Sequence, residues 1–289
     1  MDKISKLRNN LSSCSLCPRD CGVNRNKGEK GYCKAGKDLY IASCNLHFGE
    51  EPPITGVAGS GTIFFCHCSM GCVYCQNYPI SHLGNGRFFS IQDIVDKILD
   101  LQKRGAHNIN FVTPTHYAPQ MAESVFLAKK NGLSIPIVYN CGGYEPIYIL
   151  DLLDDFVDIY MTDMKYGIDD LANKYSNARD YVSINKKAVD FMLKQKGFLQ
   201  INSKGIAEKG IIVRHMMLPG HIDNTLKVLD NLAEISQKVD ISFMGQYHPA
   251  YNSDKFRNMN KRLSKKEYMI GVEYLEQKGF NKGWIQSLD

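Results

Sequence analysis

Residues 61–77 read GTIFFCHCSMGCVYCQN, a short apolar run followed at once by a loop that carries Cys68, Cys72 and Cys75. A C-x3-C-x2-C spacing can direct three sulfur atoms at one metal centre. The spacing leaves two kinds of centre open. A zinc site would need a fourth ligand, which Cys66 or His67 could supply, whereas a cubane iron–sulfur cluster would keep one iron free for an outside ligand.

Five more apolar runs follow the first, and amphipathic stretches separate them. The runs lie at residues 108–115, 135–141, 157–165, 210–218 and 240–247. Helical patterns lie at residues 90–105, 119–132, 145–156, 185–197, 224–238 and 264–279. In the first of these, Ser90 is a predicted N-cap and Gly105 a predicted C-cap. Six strands that alternate with helices predict a parallel α/β sheet, either closed into a barrel or left open.

Polar residues gather at the carboxyl ends of these predicted strands, where parallel α/β folds bind their ligands. They are Thr113, Thr115, His116, Asn140, Cys141, Asp163, Lys165, Arg214, His215, Gln246, Tyr247 and His248. The cysteine-bearing loop begins where the first strand stops, so we expect all of these residues at one mouth. A simpler interpretation is also open, in which Asp163 and Lys165 form a strand-end ion pair and the threonines merely favour strands.

The N-terminal fifty residues are polar and show no helical or strand period, which predicts a small loop-rich module. We place its boundary after residue 56, with a core domain over residues 57–289. The module holds Cys14, Cys17, Cys21 and Cys33, so its metal site can be closed by four thiolates. Zinc and an iron–sulfur cluster both suit such a site. Cys44 could replace one of the four and is otherwise expected to be buried.

The composition of the whole chain limits the cellular compartment and the partners that we expect for it. The 289 residues contain ten cysteines, carry a formal charge of +5, and include neither an apolar run of membrane-spanning length nor an apolar N-terminal signal. We therefore expect a cytoplasmic protein whose clustered thiols serve metal or redox chemistry rather than disulfides. The mild charge gives no reason to expect a nucleic-acid or membrane partner.

The cysteine spacing, with Tyr74 before the last cysteine, resembles the hallmark of the radical SAM superfamily. In that superfamily the free iron of a [4Fe-4S] cluster binds S-adenosylmethionine, and one-electron reduction yields a 5′-deoxyadenosyl radical. Residues 59–81 resemble more closely the branch of pyruvate formate-lyase activating enzyme-like proteins with an N-terminal CxLCPRxCGVNR segment. SLCPRDCGVNRNKGEKGYC (15–33), HFGEEPPITG (47–56) and QYHP (246–249) fit that branch too. The stretch FFCHCSM departs from it, because a Ser-Gly pair is expected where Cys66 and His67 stand.

The resemblance implies an α/β fold, a partial TIM-type (β/α)6 barrel, and gives roles to single residues. Cys68, Cys72 and Cys75 would hold the catalytic cluster, Tyr74 would lie against the adenine, and Asn77 would hydrogen-bond near the cluster. Thr113 and Thr115 would sit where the methionyl amino group binds. The remaining positions that match the family's strand-end residues are Asn140, Asp163, Lys165, Arg214 and His215.

The resemblance also implies partners. A flavodoxin- or ferredoxin-type reductant must reach the cluster, and the basic stretch DKFRNMNKRLSKK (254–266) could dock it, although a solvated loop is the simpler interpretation. The leading substrate is a protein or peptide backbone, such as that of a glycyl radical enzyme, with His116, Tyr117, Gln246, Tyr247 and His248 on the substrate side of the mouth. Two alternatives remain: radical modification of a peptide side chain or small metabolite, and a non-enzymatic iron–sulfur or zinc protein.

Overall fold

The computed structural model describes residues 2–288 as one mostly parallel sheet covered by helices. The strands are β1 (Leu39–His47), β2 (Ser60–Phe65), β3 (Arg87–Phe89), β4 (Ile109–Val112), β5 (Ile137–Cys141), β6 (Ile159–Asp163), β7 (Gln200–Ile201), β8 (Ala207–Met216), β9 (Asp240–Met244) and β10 (Gly283–Gln286). The helices are α1 (Lys3–Asn9), α2 (Pro52–Thr55), α3 (Tyr78–Ser81), α4 (Ile91–Lys103), α5 (Ala118–Lys130), α6 (Ile147–Leu152), α7 (Asp169–Ser176), α8 (Tyr181–Lys196), α9 (Ile222–Ile235) and α10 (Lys265–Gln277).

The strand order is β10-β9-β8-β6-β5-β4-β2-β1-β3, with β7 paired to β8 alone. Strands β2, β4, β5, β6, β8 and β9 are mutually parallel neighbours, and each falls on one of the six predicted apolar runs. Strand β10 extends this set in parallel, whereas β1 and β3 are antiparallel. Because β3 and β10 do not pair, the sheet is an open partial barrel, and the predicted α/β barrel class is confirmed.

Helix α4 shows how the amphipathic stretches become the outer layer. Its apolar positions Ile94, Val95, Ile98 and Leu101 are all buried. Ser90 caps its N-terminus in a capping box with Asp93, as the sequence predicts, and the chain turns away at Gly105 with φ +92°. The six predicted helices all form, and they bury their apolar residues against the sheet or against neighbouring helices.

Two separate apolar clusters lie on the two faces of the sheet. The outer one joins strand residues such as Ile63, Phe111 and Tyr139 to the helices. The inner one consists of Ile54, Val138, Ile159, Met161, Ala207 and Ile212. Ile54 belongs to α2, and Asn108 donates a hydrogen bond to its carbonyl at 2.7 Å. Helix α2 therefore packs against the inner face of the barrel, and it carries residues 50 and 51 there with it.

The N-terminal segment is more structured than its sequence suggested. Helix α1 buries Leu7, and β1 pairs along its length with β2 in the main sheet. The strand was missed because only Leu39 and Ile41 of its nine residues are fully buried. Residues 10–38 between these elements form turns, as predicted, and the domain boundary after residue 56 stays a prediction. Within residues 2–288, every helix is too short or too polar to cross a membrane.

Candidate active site

The cysteine loop, residues 66–77, leaves the carboxyl end of β2 and folds back over the mouth of the barrel. It turns through left-handed conformations at His67 (φ +72°) and Gly71 (φ +67°). The sulfur atoms of Cys68, Cys72 and Cys75 each accept at least one hydrogen bond. The Cys68 Sγ accepts from the Met70 backbone amide at 3.3 Å, the Cys72 Sγ from the Ser176 hydroxyl at 3.0 Å, and the Cys75 Sγ from the Ser81 hydroxyl at 3.1 Å.

Burial and neighbouring charges shift the pKa values of the loop thiols and of Lys165. Burial, and to a smaller extent the neighbouring Cys72, raises the pKa of the Cys68 thiol to about 12. The pKa of Cys75 rises for the same two reasons. Burial would lower the pKa of the Lys165 amine, but Asp163 and the sulfurs of Cys72 and Cys75 raise it. The loop sulfurs thus lie within electrostatic reach of each other and of one ammonium group, and a bound metal ion would convert the thiols into thiolates.

Neither candidate for a fourth ligand faces these sulfurs. The Cys66 side chain is buried against Gly86, where a Cβ would overlap the sulfur, and the His67 ring lies against Gly84. Among residues 2–288, no set of three or more His, Cys, Asp or Glu side chains is arranged to hold a metal ion, so the loop thiols must turn toward a common point to bind one. Three supported sulfurs without a fourth fit a cluster with one open iron better than a closed zinc site.

Tyr74 lies inside a tyrosine-rich cluster rather than at the surface. Its side chain is 3% exposed, and its hydroxyl donates to the Tyr166 hydroxyl at 2.8 Å. Tyr166 and Ser176 share a hydrogen bond of 2.7 Å, and Ser176 in turn donates to Cys72. A chain of three hydroxyls therefore ends on the Cys72 sulfur. The predicted adenine contact of Tyr74 stays a prediction.

At the ends of the neighbouring strands, the structure brings the predicted residues together. Lys165 Nζ lies 2.5 Å from Asp163 Oδ2, and both side chains are 22% exposed. Thr113, at the end of β4 two strands away, adopts φ +57°, a conformation that costs a β-branched residue energy and that clusters at functional sites. Its amide donates to the Asn140 carbonyl at 2.8 Å. Asn77 is exposed, and its backbone amide interacts with the Cys75 thiol.

Arg214 lies deeper in the barrel, and two carboxylates engage it. Its guanidinium donates to Glu51 at 2.7 and 2.5 Å and to Glu50 at 2.5 Å, and Asn110 donates to Glu50 at 2.9 Å. Burial alone would raise the pKa of Glu51, but the charge and hydrogen bonds of Arg214 lower it. His215 next to it is fully buried, with its ring nitrogens on Met164 O and Thr225 Oγ1, and burial lowers its pKa to about 4. This gives His215 a structural role.

Thr115 points away from this group, toward a buried acid. Its hydroxyl donates to Glu145 Oε1 at 2.6 Å, and the Tyr139 hydroxyl donates to Glu145 Oε2 at 3.1 Å. Burial raises the pKa of the Glu145 carboxyl to about 8, although these hydrogen bonds oppose it. Glu145 is therefore protonated at neutral pH and loses its proton only in mildly alkaline solution.

We expect Glu145→Gln to remove a pH dependence of stability. A carboxyl whose pKa is higher in the folded chain stabilises it fully below the unfolded pKa, and that contribution is lost as pH rises toward 8. The full loss is on the order of 4 kcal/mol. Urea unfolding of the apoprotein at pH 5.5 and 8.5 should show a smaller difference for the variant than for the wild type. An equal pH dependence in both would contradict the protonated state.

The other mouth candidates differ in exposure. Gln246 and His248 are exposed, whereas Tyr247 is buried and donates to Met259 O at 2.6 Å. His116 is buried with Nε2 against Cys66 O at 2.8 Å, and Tyr117 packs against it. Two further cysteines lie apart from both groups: Cys141 is buried and donates to Thr162 Oγ1 at 3.4 Å, and Cys44 lies on β1.

The four N-terminal cysteines come together around the turns of residues 14–33. Burial raises the pKa of Cys17 to about 12, and Cys33 and Cys14 add to the shift. The pKa of Cys33 is raised by burial and further by Cys14 and Cys21. A Cβ on Gly31 would overlap the Cys21 Sγ, so a glycine is required there. These thiols lie within electrostatic reach of one another, and four thiols suit a metal held by four sulfurs, although within residues 2–288 no three of them are already arranged around one ion.

Sequence reasoning missed four side chains of this site: Ser176, Tyr166, Glu50 and Glu51. Tyr166 and Ser176 lie 89 and 99 residues beyond the end of the cysteine loop, and nothing in the surrounding sequence links them to it. The adjacent glutamates of HFGEEPPITG offered a signal, since two carboxylates before two prolines need a partner if they are buried. Arg19, within CPRDC, is a fifth and is described below.

Comparison with known proteins agrees with this geometry. The model of the Radical SAM superfamily matches residues 62–257. An uncharacterized protein of Methanocaldococcus jannaschii is 29% identical over 284 residues, which cover 95% of this chain and 78% of that protein.

Solved structures share the fold at low identity. Methylornithine synthase (PylB) aligns with a TM-score of 0.51 and 16% identity, covering 78% of this chain and 63% of that one. The enzyme anSMEcpe, with bound AdoMet and the Cp18Cys peptide, gives 0.52 and 13%, covering 76% and 60%. Streptococcus suis SuiB bound to S-adenosylmethionine gives 0.52 and 11%, covering 76% and 48%.

The chain thus spans between about half and just under two thirds of the length of these solved proteins. The family model covers most of the core, from β2 to the basic stretch after β9, and it includes the whole C-x3-C-x2-C spacing. The chain belongs to the radical SAM superfamily, whose members carry out S-adenosylmethionine-dependent radical chemistry.

Proposed function

We propose that the chain is an activating enzyme-like radical SAM oxidoreductase with a [4Fe-4S] cluster on Cys68, Cys72 and Cys75. When bound, the cluster supplies the electron that splits S-adenosylmethionine into methionine and a 5′-deoxyadenosyl radical, which abstracts hydrogen from a substrate. The observation that carries the proposal is the cysteine loop itself, in which three sulfurs each accept a hydrogen bond while Cys66 and His67 face elsewhere. The open position is left for the cosubstrate.

The residues around the loop suit the charges of that cosubstrate. S-adenosylmethionine carries a carboxylate, an ammonium and a sulfonium, so its site needs both signs of charge and several hydrogen-bond partners. Lys165 and Asp163 offer both signs at the carboxyl end of β6. We assign Lys165 to the carboxylate, and Thr113 and Asn140 to the polar groups beside it. Arg214 forms ion pairs with both Glu50 and Glu51 and so offsets part of their charge.

The substrate we propose is a protein or peptide backbone, such as that of a glycyl radical enzyme. The resemblance of residues 15–33, 47–56 and 246–249 to the activating-enzyme branch supports it. A second candidate is a peptide side chain or a small metabolite. The structural likeness to anSMEcpe, solved with a bound peptide, and to methylornithine synthase favours this second class. The two candidates share the cofactor site and differ only in what enters the mouth.

We further propose that Cys14, Cys17, Cys21 and Cys33 hold either a second [4Fe-4S] cluster or zinc. Their mutual electrostatic contacts support one shared centre. All ten cysteines are free thiols, which suits a reducing, cytoplasmic setting for an oxygen-sensitive enzyme. Iron and zinc analysis of protein prepared without oxygen distinguishes the two metals.

We also propose that a flavodoxin- or ferredoxin-type protein supplies the electrons that reduce the cluster. The basic stretch 254–266 begins beside the cysteine loop, because the Asn252 amide donates to the Val73 carbonyl at 3.0 Å. Tyr251 stacks on His82 with 4.2 Å between ring centroids, and His82 contacts the Cys72 carbonyl. An acidic protein docked on Lys255 and Arg257 would therefore lie close to the cluster.

The direct test is anaerobic reconstitution with iron and sulfide, followed by reduction with dithionite in the presence of S-adenosylmethionine. We expect 5′-deoxyadenosine and methionine as products. An intact cluster that yields neither product would refute the proposal and favour a non-enzymatic iron–sulfur protein. Deuterium transfer from labelled peptide or metabolite candidates into 5′-deoxyadenosine then discriminates between the substrate classes.

We expect Ser176→Ala to lower the reduction potential of the cluster. The hydroxyl hydrogen bond to Cys72 Sγ stabilises the more negative, reduced state, so its loss makes reduction harder. A hydrogen bond of about 1 kcal/mol corresponds to roughly 40 mV for one electron. An EPR-monitored redox titration measures the shift. Ser183→Ala, whose exposed hydroxyl bonds only Asp180 O, is the control and should leave the potential unchanged.

A further inference from the structure

Arg19 belongs to the N-terminal cysteine segment but reaches the cysteine loop. It lies in the sequence between Cys17 and Cys21, two of the proposed ligands of the N-terminal centre. Its Nε donates to the Ser69 carbonyl at 2.5 Å, and a terminal nitrogen donates to the Met70 carbonyl at 3.0 Å. The guanidinium thus holds the two residues that follow Cys68 in the loop.

The same guanidinium also holds the carboxyl end of α7. Its terminal nitrogens donate to the Ser176 carbonyl at 2.9 Å and to the Asn177 carbonyl at 2.7 Å. These are helix-terminal carbonyls without intrahelical partners, so a cation is favoured there. Four carbonyls from two distant segments share one planar group, and only an arginine presents donors in such a fork.

Tyr32 supports this contact from a second position in the same segment. It immediately precedes Cys33, and its ring lies 3.4 Å from the Arg19 guanidinium. Its hydroxyl donates to the Met70 carbonyl at 3.4 Å. A Cβ on Gly71 would press against that hydroxyl, so the loop and the tyrosine fit closely. Both residues that touch the loop therefore lie within two residues of proposed metal ligands.

The contact extends to a cluster ligand through Ser176. Arg19 holds the Ser176 carbonyl, while the Ser176 hydroxyl donates to the Cys72 Sγ. The Val73 amide next in the loop donates to the Tyr175 carbonyl at 2.8 Å. The Ser176 hydroxyl can reach the Cys72 Sγ only while α7 keeps its position, and Arg19 bonds the end of α7 to the loop.

We propose that Arg19, supported by Tyr32, is a positioning residue through which the N-terminal cysteine centre fixes the cysteine loop and its hydrogen-bond donor. The inference rests on the proposed function for the existence of the cluster. It assigns the N-terminal centre a supporting role for the loop, because a centre that holds Cys17, Cys21 and Cys33 also holds the residues beside them. Loss of that centre should loosen the loop even where Cys68, Cys72 and Cys75 are intact.

The test is hydrogen–deuterium exchange of the anaerobically reconstituted full chain, with Arg19→Lys against the wild type. Lysine keeps the positive charge but cannot span four carbonyls. We expect amide exchange in residues 69–75 to rise about tenfold, since hydrogen bonds to charged groups contribute about 1.5 kcal/mol or more. The EPR signal of the reduced cluster on the loop should broaden in the same variant.

Arg25→Lys is the matched control. Arg25 lies in the same segment, is buried where Arg19 is half-buried, and bonds the main-chain carbonyls of Gly36 and His116, with no hydrogen bond to the cysteine loop. Its exchange in residues 69–75 should match the wild type. Equal loosening in both arginine variants would overturn the proposal, because it would indicate a general loss of stability. Unchanged exchange in Arg19→Lys would overturn it as well.

Cys21→Ser tests the link to the N-terminal centre. We expect it to raise exchange in residues 69–75 as Arg19→Lys does, and wild-type exchange in this variant would overturn the coupling. Failure of the proposed function is distinguishable, since it would appear as a wild-type protein that forms no 5′-deoxyadenosine, whatever the exchange data show.

Discussion

Cys72→Ser should abolish formation of 5′-deoxyadenosine, to the level of a control without enzyme. The Cys72 sulfur accepts the Ser176 hydroxyl and lies within electrostatic reach of Lys165. A serine hydroxyl is not deprotonated under these conditions and is a poor ligand for iron, so the cluster would lose one of only three protein ligands. Product analysis after reduction with dithionite measures the loss.

Iron content alone is not a sufficient measurement, because the N-terminal cysteines are proposed to hold a second centre. The decisive signal is the change in the EPR spectrum of the reduced protein when S-adenosylmethionine is added, which should vanish in Cys72→Ser. Cys66→Ser is the control, since that thiol is buried against Gly86 and lies outside the proposed ligand set. A variant at Cys72 that still makes product, or an equal loss at Cys66, would contradict the assignment of ligands.

The fold was predictable from the sequence because its core repeats one local pattern. Each of the six parallel strands is a short apolar run that can be recognised without reference to residues elsewhere in the sequence. Each helix likewise carries its own apolar stripe. Strand β1 was not predictable in the same way. Its residues Asn45 and His47 are exposed or half-buried, and it becomes a strand only because β2 offers it an edge.

The same distinction, between local and distant residues, applies to the candidate site. The three cysteines lie within eight residues of sequence, and Asp163 and Lys165 lie two residues apart, so spacing and strand position were enough to find each group. Ser176 and Arg19 contact the loop from 100 and 50 residues away, and only the folded chain brings them together. For Arg214 the sequence indicated a cation at a strand end, but its two carboxylate partners, Glu50 and Glu51, come from the two residues just before α2.

The second large effect is expected at Arg214. Arg214→Gln would leave Glu50 and Glu51 buried in the barrel without a cation, and breaking a buried pair in this way costs about 3–5 kcal/mol. That is a large fraction of the roughly 5–15 kcal/mol by which a folded chain is stable. Urea unfolding of the apoprotein at constant pH measures the loss. Glu50→Gln is the matched control, because it leaves one carboxylate for one guanidinium and should cost far less.

The pH dependence of this variant separates lost charge pairing from lost packing. In the wild type the pKa of Glu51 is lowered, so its contribution to stability is present above the unfolded pKa and is lost as pH falls through the folded one. Without Arg214, burial dominates and raises the pKa, so the sign reverses and stability is lost as pH rises. The destabilisation relative to the wild type should therefore shrink between pH 8 and pH 5. A destabilisation that stays constant over that range would show that the guanidinium acts by filling space, and that the two glutamates do not depend on its charge.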